Sequence, residues 1–139
     1  MTALPQLCYS LINLFIFEIM KKKTLVLGAS LNPARYSNMA IKRLVSYKQP
    51  TLAIGLRKGE VDGVEIVTEK LAFQDIDTVT LYLSPPKQEE YYDYILSLAP
   101  NRVIFNPGTE NPEFFDLLER NGIEVEVACT LIMLASNQY

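Results

Sequence analysis

The chain has 139 residues, 13 of them basic and 16 acidic, for a net charge of −3. That length fits one domain able to bury its own core without a disulfide or metal staple, and the mild acidity gives no general support to nucleic-acid binding. There is no histidine, which removes the commonest general base and the commonest zinc ligand, so neither a metal site nor an evident catalytic constellation is expected.

In chain order, the first segment reads unlike the rest. Leu7 to Phe17 is mostly apolar but shorter than the about 20 residues of a membrane span. Lys21, Lys22 and Lys23 follow the run instead of preceding it, against a signal peptide. Met20 stands directly before them and is the expected natural start. Residues 1–19 are then an upstream extension, and 20–139 the domain. The rival reading is an amphipathic helix that packs on the domain or a partner. Two cysteines, Cys8 and Cys129, with no pairing pattern fit a reducing cytoplasm.

From Thr24 the pattern alternates strand and helix. Thr24 to Gly28 is an apolar run ending in glycine, as in a strand buried on both faces. A loop of small and turn-forming residues follows, then Met39, Ile41, Leu44 and Val45 at helical spacing. Thr51 to Gly55 is the second main strand. Residues 56–72 hold turn signals at Lys58-Gly59 and Asp62-Gly63, with Val64 to Val67 as a short edge strand or extended loop. Asp77 to Leu83 is the third main strand. Pro85 and Pro86 open a helix that carries Tyr91, Tyr92 and Ile95. Arg102 to Asn106 is the fourth strand. Asn111 caps a helix that starts at Pro112 and stops at Gly122. Ile123 to Val127 is the fifth strand, and residues 130–138 form a short closing helix. These elements predict an α/β fold: a Rossmann-like three-layer sandwich around a five-stranded parallel sheet of order 3-2-1-4-5 with right-handed crossovers.

In such a sheet a ligand sits beyond the carboxyl ends of the strands, where strand order reverses. Four loops lie there. The first, Gly28 to Asn38, leads into a helix whose free amides and dipole favour an anion. In it Gly28 and Ala29 allow close backbone approach, Ser30 and Ser37 offer hydroxyls and Arg35 a charged donor; turn-making and helix capping by Asn32-Pro33 are the plainer alternative. This loop lacks the second and third glycines of a dinucleotide fingerprint. The second loop reads Gly55-Leu56-Arg57-Lys58 where an NAD enzyme carries an acid. The basic pair suits a phosphorylated ribose, either the 2′-phosphate of NADP or the 3′-phosphate of coenzyme A (CoA), or else is a solvated turn. The third, Leu83-Ser84-Pro85-Pro86-Lys87, either contacts a nucleotide or simply caps a helix. The fourth, Asn106 to Asn111, has side chains suited to a pantetheine arm. Its Glu110 has no assignable partner to make it a base. Tyr91, Tyr92 and Tyr94 read as core packing, and Cys129 as an inert thiol.

Gly28-Ala29-Ser30, Asn32-Pro33, Arg35-Tyr36-Ser37-Asn38, Gly55-Leu56-Arg57, Ser84-Pro85, Asn106-Pro107-Gly108-Thr109-Glu110-Asn111 and Cys129-Thr130-Leu131 together resemble the small stand-alone CoA-binding proteins. These are similar to the CoA-binding domain of the succinyl-CoA synthetase alpha subunit. The resemblance spans about residues 22–138. It implies a Rossmann fold with CoA held across the first three loops, and carries the binding role onto Gly28, Ala29, Ser30, Arg35, Arg57, Ser84 and Pro85. The synthetase's phosphorylated histidine has no counterpart, so its ligase activity is not implied. The expected binding set adds Asn32, Pro33, Tyr36, Ser37, Gly55, Leu56, Leu83, Asn106, Pro107 and Gly108. The expected function is non-catalytic binding of CoA or an acyl-CoA, as a homo-oligomer or beside a partner enzyme. The alternatives are an NADP-dependent oxidoreductase and a partner-binding subunit with a vestigial pocket.

Overall fold

The structure is a computed structural model that describes residues 9–13 and 21–139. Residues 9–13 are a helical stretch with exposed side chains. The remainder of the expected extension, and the expected start at Met20, lie outside the described residues.

Seven strands form one sheet: β1 (Thr24–Ala29), β2 (Thr51–Gly55), β3 (Gly59–Val61), β4 (Val64–Val67), β5 (Thr78–Leu81), β6 (Arg102–Phe105) and β7 (Glu124–Val127). Their spatial order is β3-β4-β2-β1-β5-β6-β7. Every pairing is parallel except that of β3 with β4. This corrects the expected five strands in order 3-2-1-4-5. Val64 to Val67 is a true strand, and an internal one, pairing Ala53↔Ile66 and Ile54↔Val67. It takes the place beside β2 that had been given to Asp77–Leu83. Its Val64 and Ile66 are buried while Glu65 is exposed, the alternation of a strand with one face on a core. Asp62 and Gly63, both at positive φ, make the tight turn that folds β3 antiparallel onto it. The chain then crosses β1 and enters β5 on its other side, pairing Leu27↔Leu81.

Helices cover both faces: α1 (Tyr36–Ser46), α2 (Pro85–Gln88), α3 (Tyr92–Leu98), α4 (Pro112–Arg120) and α5 (Thr130–Ala135), with a 3₁₀ turn at Glu89–Tyr91 between α2 and α3. Alternate residues of β1 serve the two cores. Leu25 and Leu27 pack with Ile95, Phe105, Phe114 and Leu118 on one side. Val26 and Ala29 pack with Ile41, Leu44 and Leu134 on the other. Because β1 is central and strand order reverses around it, the loops after β2, β1, β5 and β6 meet at one end of the sheet.

No helix among the described residues is long and apolar enough to cross a membrane.

Candidate functional site

The four loops enclose an open cleft of about 610 Å³. Its floor is the tip of β1. Gly28 interrupts the β1–β2 register between Leu27 and Ala29 and sits at φ +97°, a conformation L side chains rarely adopt. A Cβ there would also press on the Tyr82 backbone at 3.0 Å. Gly55 is required for a different reason. Its φ is ordinary, but a Cβ would lie 2.3 Å from the Ala29 carbonyl oxygen. Two strand tips therefore converge as backbone on backbone, leaving the space above them open.

Beyond β1 the chain makes a self-bonded turn. The Asn32 amide donates to Ser30 Oγ (3.1 Å), the Ala34 amide to Asn32 Oδ1 (3.0 Å), and Asn38 Nδ2 to the Ser30 carbonyl (2.9 Å). Helix α1 then starts with Arg35 as its N-cap residue, without a side-chain cap and without an acid in the first turn. The Asn38 and Met39 amides both bond to the Arg35 carbonyl. The Tyr36 and Ser37 amides have no protein acceptor among the described residues, so an anion would find donors and a favourable dipole there. Helix α2 is the opposite case. Pro85 and Pro86 have no N–H, and the Lys87 amide donates to the Ser84 carbonyl. The first turn of that helix thus offers an anion few free backbone donors.

A buried glutamine ties the third loop to the fourth. Gln88, fully buried, donates through Nε2 to the carbonyls of Leu83 (2.8 Å) and Thr109 (2.7 Å) and accepts from Asn111 Nδ2 (3.0 Å). Asn111 caps α4 through the Phe114 amide (3.3 Å).

Most of the expected residues meet in the cleft. From the first loop come Gly28, Ala29, Ser30, Asn32, Arg35, Tyr36 and Ser37; from the second, Gly55, Leu56 and Arg57; from the third, Leu83 and Ser84; from the fourth, Pro107 and Gly108. Three do not line it. Pro33 is exposed and Pro85 half-buried, and neither is part of the wall. Asn106 is buried beneath, its Nδ2 donating to Thr80 Oγ1 (2.7 Å) and the Leu81 carbonyl (2.8 Å) while its Oδ1 accepts from the Thr130 amide (2.9 Å). Glu110 also stays out of the wall, accepting from the Gly108 amide at 2.6 Å.

Sequence reasoning missed Ile54, Tyr82 and Tyr91 as lining residues; Leu31, Lys87 and Thr109, which also line the cleft, lay in loops expected there but were not singled out in the binding set. Of the tyrosine stripe, Tyr92 does stack on Phe114, with centroids 4.2 Å apart. Tyr91, in the 3₁₀ turn, packs partly against the same core and also lines the cleft. The lining holds three cations (Arg35, Arg57 and Lys87) and no carboxylate, in a chain of net charge −3. Burial pushes the Tyr82 hydroxyl well above its ordinary pKa; that oxygen is itself buried, so Tyr82 lines the cleft with other atoms. A lining with three cations and no carboxylate favours a negatively charged ligand.

The family model that matches is described as a CoA binding domain, and it covers residues 22–135. The chain belongs to the CoA-binding domain family. One member of the same fold, in a crystal structure described only as that of an uncharacterized protein, shares 48% identity. The match covers 86% of this chain and 98% of the other, with a TM-score of 0.83. A Thermus thermophilus protein at 24% identity covers 91% and 97%, with a TM-score of 0.76. The dinucleotide-forming acetyl-coenzyme A synthetase 1 of Ca. Korarchaeum cryptofilum, solved with phosphate and ADP, shares the fold at 15% identity and a TM-score of 0.63. That match covers 79% of this CoA-binding domain chain and only 26% of the synthetase. No curated protein matches the chain.

Proposed function

We propose that this chain binds coenzyme A, free or acylated, in the cleft at the strand tips, as a Rossmann-type nucleotide-binding domain without a reaction of its own. The observation that carries this reading is the cation-only wall beside an uncapped helix. The backbone of Gly28 and Ala29, the Ser30 hydroxyl and the open Tyr36 and Ser37 amides receive the diphosphate. Arg57, at the tip of β2, receives the ribose 3′-phosphate. A dinucleotide with a bare ribose would want an acid at that tip, and Leu56-Arg57 stand there instead. The ligand's free thiol suits a reducing cytoplasm, the setting the cysteine usage suggests.

Titration calorimetry with CoA tests this directly. Heat of binding together with a thermal shift is expected; neither at millimolar CoA would overturn the proposal. Replacing Arg57 by alanine should weaken CoA by about tenfold or more, since a charge-assisted bond contributes about 1.5–3 kcal/mol. Dephospho-CoA should lose much less. Tighter binding of NADPH than of CoA would turn the reading toward a 2′-phosphate and an oxidoreductase.

A further inference from the structure

The two halves of the cleft differ in kind. On the β1–β2 side stand the open amides of α1 with Arg35 and Arg57. On the β5–β6 side Pro85 and Pro86 of α2 carry no N–H, the Gly108 amide is taken by Glu110, and the wall is Leu83, Ser84, Tyr91, Pro107, Gly108 and Thr109 with one charge, Lys87. Both phosphate-bearing parts of CoA are thus served at one end, which leaves the uncharged arm to run across β5 and β6. Four adjacent strand tips at about 4.8 Å spacing give the cleft a span of about 14 Å in this direction, so the arm's reactive end comes to lie in the half where Lys87 stands.

A thiol or a simple alkanoyl group needs no cation there. Lys87 is exposed, and its ammonium makes no hydrogen bond, ion pair or ring contact among the described residues. The carboxylates next to it in sequence, Glu89 and Glu90, belong to the 3₁₀ turn and do not line the cleft. Lys70, whose ammonium lies over the Tyr91 ring, is already held by the Glu90 carbonyl at 2.6 Å.

We propose that the β5–β6 half of the cleft selects acyl-CoA thioesters whose acyl chain ends in a carboxylate, and that Lys87 is the specificity-determining residue that pairs with it. This rests on the CoA reading above. The ligand class is a dicarboxylic acid monothioester; Leu83, Tyr91 and Pro107 pack its methylenes and the ammonium meets its far end.

The test is calorimetric titration of the full chain with CoA, pentanoyl-CoA and glutaryl-CoA, repeated on Lys87→Gln and Lys87→Glu. The native chain should bind glutaryl-CoA about fivefold more tightly than pentanoyl-CoA, the scale of a partly solvated ion pair, and the preference should shrink as salt is raised. Lys87→Gln should bring that ratio close to one, and Lys87→Glu should invert it. A native ratio of one, with CoA bound normally, overturns this proposal alone. Equal weakening of all three ligands by Lys87→Gln also overturns it, because Lys87 would then be reading a phosphate common to them. Failure of CoA itself to bind removes the underlying reading and this one together.

Discussion

Single residues at the strand tips are constrained by what approaches them. Gly55 looks like an ordinary strand terminator, yet its α-hydrogen faces the Ala29 carbonyl where a methyl would stand 2.3 Å away. Gly55→Ala should therefore lower stability by about 1–3 kcal/mol, the usual cost of forcing backbone apart in a packed region, and weaken ligand binding as the tips separate. Urea denaturation and calorimetry on the same variant check both. That glycines close these strands was legible in the sequence. That one is needed for its φ and the other for space was not, because the clash comes from a neighbouring strand. Leu31 tells the same story from the other side. It rests over Gly59 of β3, whose Cβ would lie 2.5 Å from its methyl, and nothing local in the sequence relates the two.

At the scale of elements, two helices start beside the cleft and only α1 leaves amides free. An aspartate at its N-cap would bond them itself. Arg35→Asp is expected to raise the melting temperature of the ligand-free protein, in line with the about 1 kcal/mol of a good cap, and to weaken CoA by removing a cation and occupying the donors. A thermal melt and a titration should thus move in opposite directions. Gln88 offers a contrasting prediction. Its replacement by alanine strips the Leu83 and Thr109 carbonyls of their donor and should cost about 2–6 kcal/mol, at about 1–3 kcal/mol for each orphaned group; urea denaturation reads it. The strand–helix alternation was legible from apolar runs and punctuation, as were the Asn111 cap and the double-proline start of α2. The sheet order was not. Val64 to Val67 is only four residues long, and its claim to the place beside β2 depends on non-local pairing that a short pattern does not encode. The 3₁₀ turn at Glu89–Tyr91 was equally hidden, and with it the place of Tyr91 in the cleft wall.

At the scale of the whole molecule, a chain without histidine has alkaline titrations to watch. Burial raises the Tyr94 hydroxyl from 10.0 to about 12, and its O–H donates to the Leu71 carbonyl at 2.5 Å. The hydroxyls of Tyr91 and Tyr139 are raised as well, first of all by burial. The folded state keeps protons that the unfolded chain releases near pH 10. The stability these groups contribute is therefore fully present below that value and falls as pH climbs from about 10 to 12. Urea midpoints across that range should drop while tyrosinate absorbance of the folded protein lags that of the unfolded. The far end of the sheet shows how polar groups are managed away from the cleft. There Arg102 Nε donates to Thr78 Oγ1 (2.8 Å), its Nη1 meets Glu126 (3.0 Å), and its guanidinium lies over the Tyr139 ring.

The cleft opens along the sheet's end, and of the two buried cores only Ala29 and Ile54, at the strand tips, reach it. A molecule entering or leaving there would ask little loosening of either packed layer. Escape rates should follow the contacts broken in the cleft and ignore substitutions such as Leu118→Val that soften a core from within, so stopped-flow dissociation and global unfolding should respond to different sets of residues.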